Sequence, residues 1–121
     1  MANTFKVVNF AAEPNSAGTP FTMYTVASST TTVVLGLILA NIHTTAVTAE
    51  VELVSTTSNR AGANNASNGT SFLVKDVNIP AGTSLELLSG GKVVLEAGDV
   101  IRVDCSVADK LSGTLSIMEI T

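Results

Sequence analysis

Hydrophobic and polar residues alternate with a period of two along most of the chain. In 47–53 the apolar positions are every second residue, and the residues between them are threonine or glutamate. In 100–107 an apolar set that includes Cys105 alternates with Arg102 and Asp104. A period of two predicts a strand with one face on a core and the other in water. Further strand patterns occupy 21–27, 71–79, 83–88, 92–96 and 111–120.

The stretch TTVVLGLILANIH, residues 31–43, breaks this alternation because no side chain from Val33 to Ala40 is polar. A helix that spans a membrane needs about 20 apolar residues, and this run is shorter. Its β-branched residues and the central Gly36 disfavour any helix. The run therefore predicts a strand that is covered on both faces.

Strict alternation in this strand places Val33, Leu35, Leu37 and Leu39 on one face. It places Val34, Gly36, Ile38, Ala40 and Ile42 on the other face. The core of the domain covers one face, and a loop, the N-terminal arm or another copy of the chain covers the second. We expect another copy, and the candidate interface residues are Val34, Ile38, Ala40, Ile42, Leu37 and Leu39.

The chain of 121 residues has room for a single domain, residues 1–121. About eight short strands at regular spacing, separated by glycine, proline and asparagine, predict an all-β fold. The expected architecture is an antiparallel β-sandwich of jelly-roll type. Residues 1–20 are interpreted as an N-terminal strand followed by an extended arm or linker. The segments HTTA (43–46) and SGG (89–91) are predicted to be tight hairpin turns.

Composition narrows the classes of function. Charged residues make up 13% of the chain and the net charge is −4, so no basic surface supports binding to nucleic acid. The same balance argues against attraction to anionic membranes. A domain with so few charges often buries part of its surface against a partner. The single cysteine, Cys105, excludes an intrachain disulfide and is expected to be buried and inert.

No residue pattern predicts catalysis, a cofactor or a metal site. His43 is the only histidine, so neither a zinc site nor a histidine-based triad is supported. Glu50 and Glu52 are interpreted as a solvated strand face. Glu96 and Asp99 flank a turn where a divalent cation is conceivable, but Asp99 is expected to bond to the backbone of its own turn. We expect a protein that is not an enzyme.

The longest irregular stretch, residues 56–70, is polar and rich in glycine and asparagine. Long loops of this kind are usually functional or flexible. The candidates for an exposed binding loop are Asn59, Arg60, Asn64, Asn65 and Asn68.

Three segments together resemble a family of small β-sandwich virion proteins from tailed bacteriophages, especially phages of marine bacteria and cyanobacteria. The segments are 24–43, 79–103 and 115–120, and the resemblance leaves out the N-terminal arm and the 56–70 loop. Their most regular motif, LEAGDVIRV (95–103), is similar to motifs in many jelly rolls, including trimeric tumour-necrosis-factor-like modules. The resemblance implies a capsid decoration (cement) protein or a tail-associated component, present in many copies and without catalytic residues.

The leading hypothesis is a homo-oligomer, most simply a trimer, that decorates the head and contacts the major capsid protein or other virion proteins. Its expected location is the virion, assembled in the host cytoplasm. One alternative is a tail, neck or fibre-tip component that binds the host surface through loop 56–70. A further alternative is a small lectin-like glycan-binding module outside a virion, with calcium near Glu96 and Asp99.

Overall fold

The computed structural model describes residues 2–55, 69–88 and 90–121, and in these residues the regular structure is all-β. No helix within these ranges has the length and hydropathy that crossing a membrane requires. The described strands, in chain order, are β1 (Asn3–Glu13), β2 (Phe21–Thr25), β3 (Thr31–Asn41), β4 (Val47–Val54), β5 (Thr70–Ile79), β6 (Ser84–Leu87), β7 (Val93–Leu95), β8 (Val100–Cys105) and β9 (Leu111–Ile120).

The strands form two antiparallel sheets. The first, here called the β1 sheet, has the order β1-β9-β3-β6, and β7 pairs with β3 beyond the end of β6. The second, the β2 sheet, has the order β2-β8-β4-β5. The predicted all-β antiparallel sandwich is confirmed.

The pairing of the strands follows the wrapping of a jelly roll. The chain folds back on itself about the β4–β5 pair, so that β3 meets β6 and β7, β2 meets β8, and β1 meets β9. Since β6 and β7 both pair with β3, they behave as one interrupted strand. The expectation of about eight strands therefore agrees with this topology. Residues 3–13 of the N-terminal segment form a strand that pairs along β9.

Both predicted hairpin turns are wrong. Residues 43–46 connect β3 in one sheet to β4 in the other, so they cross between sheets. The Asn41 amide stabilises this crossover by donating to the carbonyls of Thr45 and Ile79, and its oxygen accepts the His43 N–H. Ser89 lies outside the described residues, but β6 and β7, the strands on either side of 89–91, both pair with β3 and not with each other. Which sheet a strand joins depends on its partners, and a turn pattern does not encode them.

A β-bulge in β3 changes the predicted division of its faces. Val34 pairs with Ile117 and Gly36 with Ser116, so Leu35 is an additional residue opposite β9. After the bulge the parity reverses, and Val34 lies on the same face as Leu37. The grouping of Val34 with Ile38 is therefore wrong, because strict alternation does not hold through the extra residue.

The core lies between the sheets and confirms the inward positions predicted for the alternating strands. Cys105 is buried there, as expected, among aliphatic side chains from both sheets. Gly113 leaves space for the Phe10 ring, which meets Phe21 edge-on at 5.1 Å between centroids. The buried hydrophobic residues are Met23, Val26, Val34, Leu37, Leu39, Val47, Ala49, Val51, Ile79, Leu87, Leu95, Ile101, Val103, Cys105, Leu111, Leu115 and Ile117.

Candidate interaction surface

The outer face of the β1 sheet carries a row of apolar side chains that crosses four strands. Phe5 on β1 pairs with Met118 on β9, Met118 pairs with Val33 on β3, and Val33 pairs with Val94 on β7. Residues that pair directly across strands share a face. Val34, the neighbour of Val33, is fully buried in the core, so this row points away from the core. We call these four residues the apolar row.

The two ends of the apolar row are largely exposed to solvent. Phe5 is 72% exposed and Val94 is 61% exposed, while Met118 and Val33 between them are partly buried. Val7, on the same face of β1, is 62% exposed. An apolar surface of this kind on a protein marks a site of contact with another molecule.

The rest of this outer face is almost free of charge. Within the strands that the structure describes, its one charged side chain is Glu86. Glu86 pairs with Ile38, which is the second outward-facing residue of β3 after Val33. Ile38 is 45% exposed. The other residues of this face are uncharged, and all of them except Ile120 are small or polar. They are Asn3, Asn9, Thr31, Gly36, Ala40, Ser84, Ser112, Thr114, Ser116 and Ile120.

The outer face of the β2 sheet has the opposite character. Arg102 on β8 forms an ion pair with Glu52 on β4, with 2.6 Å between Nη2 and Oε2, and its Nε donates to the same oxygen. Lys75 on β5 donates to Glu50 at 3.1 Å, and this hydrogen bond is the main cause that raises the pKa of Lys75. Lys75 also lies 4.7 Å from the centre of the Phe72 ring. Charges of both signs thus cover this sheet.

A polar cluster joins the two sheets at one end of the sandwich. The Tyr24 hydroxyl on β2 donates to Glu119 Oε2 at 2.6 Å and lies 2.8 Å from Thr32 Oγ1. Lys6 on β1 forms an ion pair with the other Glu119 oxygen. The Lys6 hydrogen bond, and then that of Tyr24, lower the pKa of Glu119. Burial, and then the bond to Glu119, raise the pKa of Tyr24 to about 12. Tyr24 of the β2 sheet thus bonds to Thr32 and Glu119 of the β1 sheet, and the cluster connects the two sheets.

The turn at Glu96–Asp99 has the internal bonding that the sequence predicted. Asp99 is 3% exposed, and its Oδ2 accepts the Glu96 N–H at 2.9 Å. Gly98 has a φ of 91°, which glycine adopts without strain. Glu96 accepts the hydroxyl of Thr31. The other Asp99 oxygen has no protein partner among the described residues. Within those residues no group of three or more metal-ligating side chains converges, here or elsewhere.

A shallow depression of about 200 Å³ on the β2 sheet is lined in part by Glu50, Asp76 and Asp104. These carboxylates have other partners. Glu50 and Asp76 form ion pairs with Lys75, and Asp104 Oδ1 accepts the N–H groups of Gly18 and Cys105. The depression is therefore explained by bonds that hold the strands and a neighbouring turn.

The structure separates the residues predicted for an interface. Val34, Leu37 and Leu39 have no exposed surface, so they belong to the core and can touch no other chain. Ile38 and Ile42 are about half exposed, and Ala40 is partly buried. The predicted loop residues Asn59, Arg60, Asn64, Asn65 and Asn68 lie outside the described residues.

None of the four residues of the apolar row is among the interface residues that the sequence predicted. Phe5, Val7, Met118 and Val94 come from three strands that are distant in sequence from 31–43. The segment NTFKVVNF (3–10) did contain a signal, because it has apolar residues at both odd positions (Phe5, Val7) and even positions (Val8, Phe10). Such a strand has apolar side chains on both faces, although it contains no long apolar run. Only the pairing of β1 with β9, and of β9 and β7 with β3, brings these residues into one surface.

Comparison with known proteins leaves the surface as the main guide to function. No protein-family model matches the chain, and neither the curated proteins nor the solved structures include a significant match.

Proposed function

We propose that this protein is a non-enzymatic structural subunit of a bacteriophage virion that decorates the head and stabilises it. The observation that carries the proposal is the difference between the two outer faces of the sandwich. One face is apolar and nearly uncharged around Phe5, Val33 and Val94, and the other is covered by ion pairs. Such a molecule suits a position in an assembly, with one side against protein and the other in water.

The virion assignment itself rests on the resemblance of segments 24–43, 79–103 and 115–120 to small phage β-sandwich proteins. That resemblance also suggests a trimer and contact with the major capsid protein. A jelly roll is compatible with this role, but the same fold carries many functions, so the surface and the resemblance must be tested directly.

The test is the amount of this chain in purified particles of the phage that encodes it, measured by quantitative mass spectrometry against the major capsid protein. Copy numbers comparable with those of the shell subunits support head decoration. A small number that matches the symmetry of a tail or neck would contradict it. Absence from the particles would overturn the virion assignment as well.

A second measurement addresses stabilisation. Particles that lack the chain should still assemble, but they should release their contents at a lower temperature than complete particles. Adding back the purified protein should restore the original temperature. If particles without the chain are equally stable, it does not act as a cement protein.

A further inference from the structure

We infer that the occupant of the apolar row is a second copy of this chain. The inference rests on the proposed function and deepens it by naming the partner of this surface. The row and its neighbours form one face of the β1 sheet, and Phe5, Val7 and Val94 on it are each more than 60% exposed.

The size of this face agrees with a stable contact. Four neighbouring strands span about 19 Å. Along the strands, the outward-facing residues of β9 run from Ile120 to Ser112, which is roughly 30 Å. The face therefore offers roughly 600 Å², which reaches the lower end of the standard interface area for each partner. Sheets that pack face to face are common, and their side chains interdigitate across about 10 Å.

The distribution of charge favours a copy of the same chain over an unrelated partner. A surface that contacts its own copy brings equal charges together unless it is uncharged or its charges lie off the centre. Within the described strands this face carries one charge, Glu86, which lies two outward-facing residue pairs away from the apolar row. Contacts that centre on the row keep the two Glu86 side chains apart. An unrelated partner would impose no such condition.

The edges of the sheet do not compete strongly with the face as a site of contact. β1 is the long edge strand, and its Lys6 points toward the Glu119 side of the sheet, opposite to Phe5. A charge placed in this way on an edge strand discourages a further strand from pairing there. The outer face is therefore the surface that a second copy would cover.

The experiment measures the mass of the purified chain in solution by light scattering over a range of concentrations. We expect a dimer, because a face that packs against the same face of its copy is related to it by a two-fold axis; a trimer would join two different surfaces and would contradict this contact. In Phe5→Lys and, separately, Val94→Lys, the dissociation constant should rise at least about thirtyfold, as for the loss of a hot-spot residue. Both positions are well exposed, so the subunit should keep its fold, which circular dichroism checks.

Phe72→Lys is the matched control. Phe72 is 45% exposed and lies on the charged β2 sheet, so the same substitution there should leave the mass unchanged. A monodisperse monomer for the natural chain would overturn the inference, as would Phe5→Lys and Val94→Lys variants that associate normally.

This result can be separated from the test of the proposed function. A chain that is monomeric in solution but abundant in particles contradicts the second-copy inference and leaves the virion role intact. An oligomer that depends on Phe5 and Val94 but is absent from particles supports the inference and contradicts the virion role.

Discussion

On the outer face of the β1 sheet, Phe5, Met118, Val33 and Val94 stand in register across four strands. On the outer face of the β2 sheet, the register instead aligns Phe72 with Glu52 and Glu52 with Arg102. Both sheets bury the same kind of aliphatic residue on their inner faces. The inner faces thus stabilise the fold in the same way in both sheets. The outer faces differ, and this difference decides what each side of the molecule can bind.

The largest expected effect separates the core face of β3 from its outer face. Leu37 is fully buried, and Leu37→Lys places an unpaired charge in the core, which costs several kcal/mol of a total stability of about 5–15 kcal/mol. Ile38 is 45% exposed and faces Glu86, so Ile38→Lys should change the stability of the subunit by about 0.5 kcal/mol or less.

Circular dichroism and thermal unfolding of the two β3 variants measure this difference. We expect Leu37→Lys to be unfolded and Ile38→Lys to be folded. Equal unfolding of both would mean that part of the same chain covers the outer face of β3, and the contrast between the two outer faces would fail.

Two glycines of the β1 sheet provide a second comparison. A Cβ at Gly113 would clash with the Phe10 ring, whereas a Cβ at Gly36 on the outer face meets nothing within 4 Å. Gly113→Ala should therefore lower the free energy of unfolding by about 1–3 kcal/mol, the usual cost of overpacking. Gly36→Ala should leave it unchanged or raise it slightly. Chemical denaturation measures both, and equal effects would contradict the assignment of Gly113 to the packed side.

The cluster that joins the sheets should make stability depend on pH. Because the pKa of Tyr24 is raised from 10.0 to about 12, its hydroxyl stays protonated in the folded state while the unfolded chain loses the proton. The contribution of Tyr24 to stability should therefore be constant below pH 10 and be lost between pH 10 and about 12. Tyr24→Phe should cost about 1 kcal/mol at neutral pH and remove this alkaline fall.

The effect of Glu119 on stability has the opposite dependence on pH to that of Tyr24. The pKa of Glu119 is lowered, so its contribution is present above its unfolded pKa and is lost as the pH falls through the folded value. Glu119→Gln should reduce the dependence of unfolding on acid. Thermal unfolding across the pH range measures both variants, and an unaltered pH profile in either would show that the cluster does not link the sheets energetically.

The smallest effect is expected on the charged face. Glu52→Gln breaks the ion pair with Arg102 on a solvated sheet surface, where such pairs contribute about 0.2–1 kcal/mol. The loss should decrease further in high salt, and the mass in solution should not change. Dissociation caused by this variant would move the contact to the β2 sheet and contradict the comparison.

The sequence was sufficient where a residue's position depends on local alternation. Val47, Ala49 and Val51 on β4, and Leu115 and Ile117 on β9, are buried as their period of two predicted. A strand with one wet face needs no knowledge of its partners for this assignment. The Asp99 turn was predicted for the same reason, because its hydrogen bond to Glu96 spans only a few residues.

The sequence was insufficient where a property depends on pairing. The bulge at Leu35 exists only relative to β9, and the crossover at 43–46 depends on β3 and β4 joining different sheets. The apolar row combines residues whose positions in the chain range from 5 to 118. The apolar segment 31–43 alone points to Ile38, but it contains no information that would place Phe5 or Val94 on the same surface.

The bulge at Leu35 also has a consequence for how substitutions are tolerated along β3. In a saturation scan, polar residues should be accepted at every second position, beginning with Thr31 and Val33. After the extra residue the accepted positions should change from odd to even numbers, at Gly36, Ile38 and Ala40. Removing one residue at Leu35 would restore a single parity and exchange the inner and outer sides of half the strand. The single inserted residue thus determines which residues of this apolar segment face the core and which face outward.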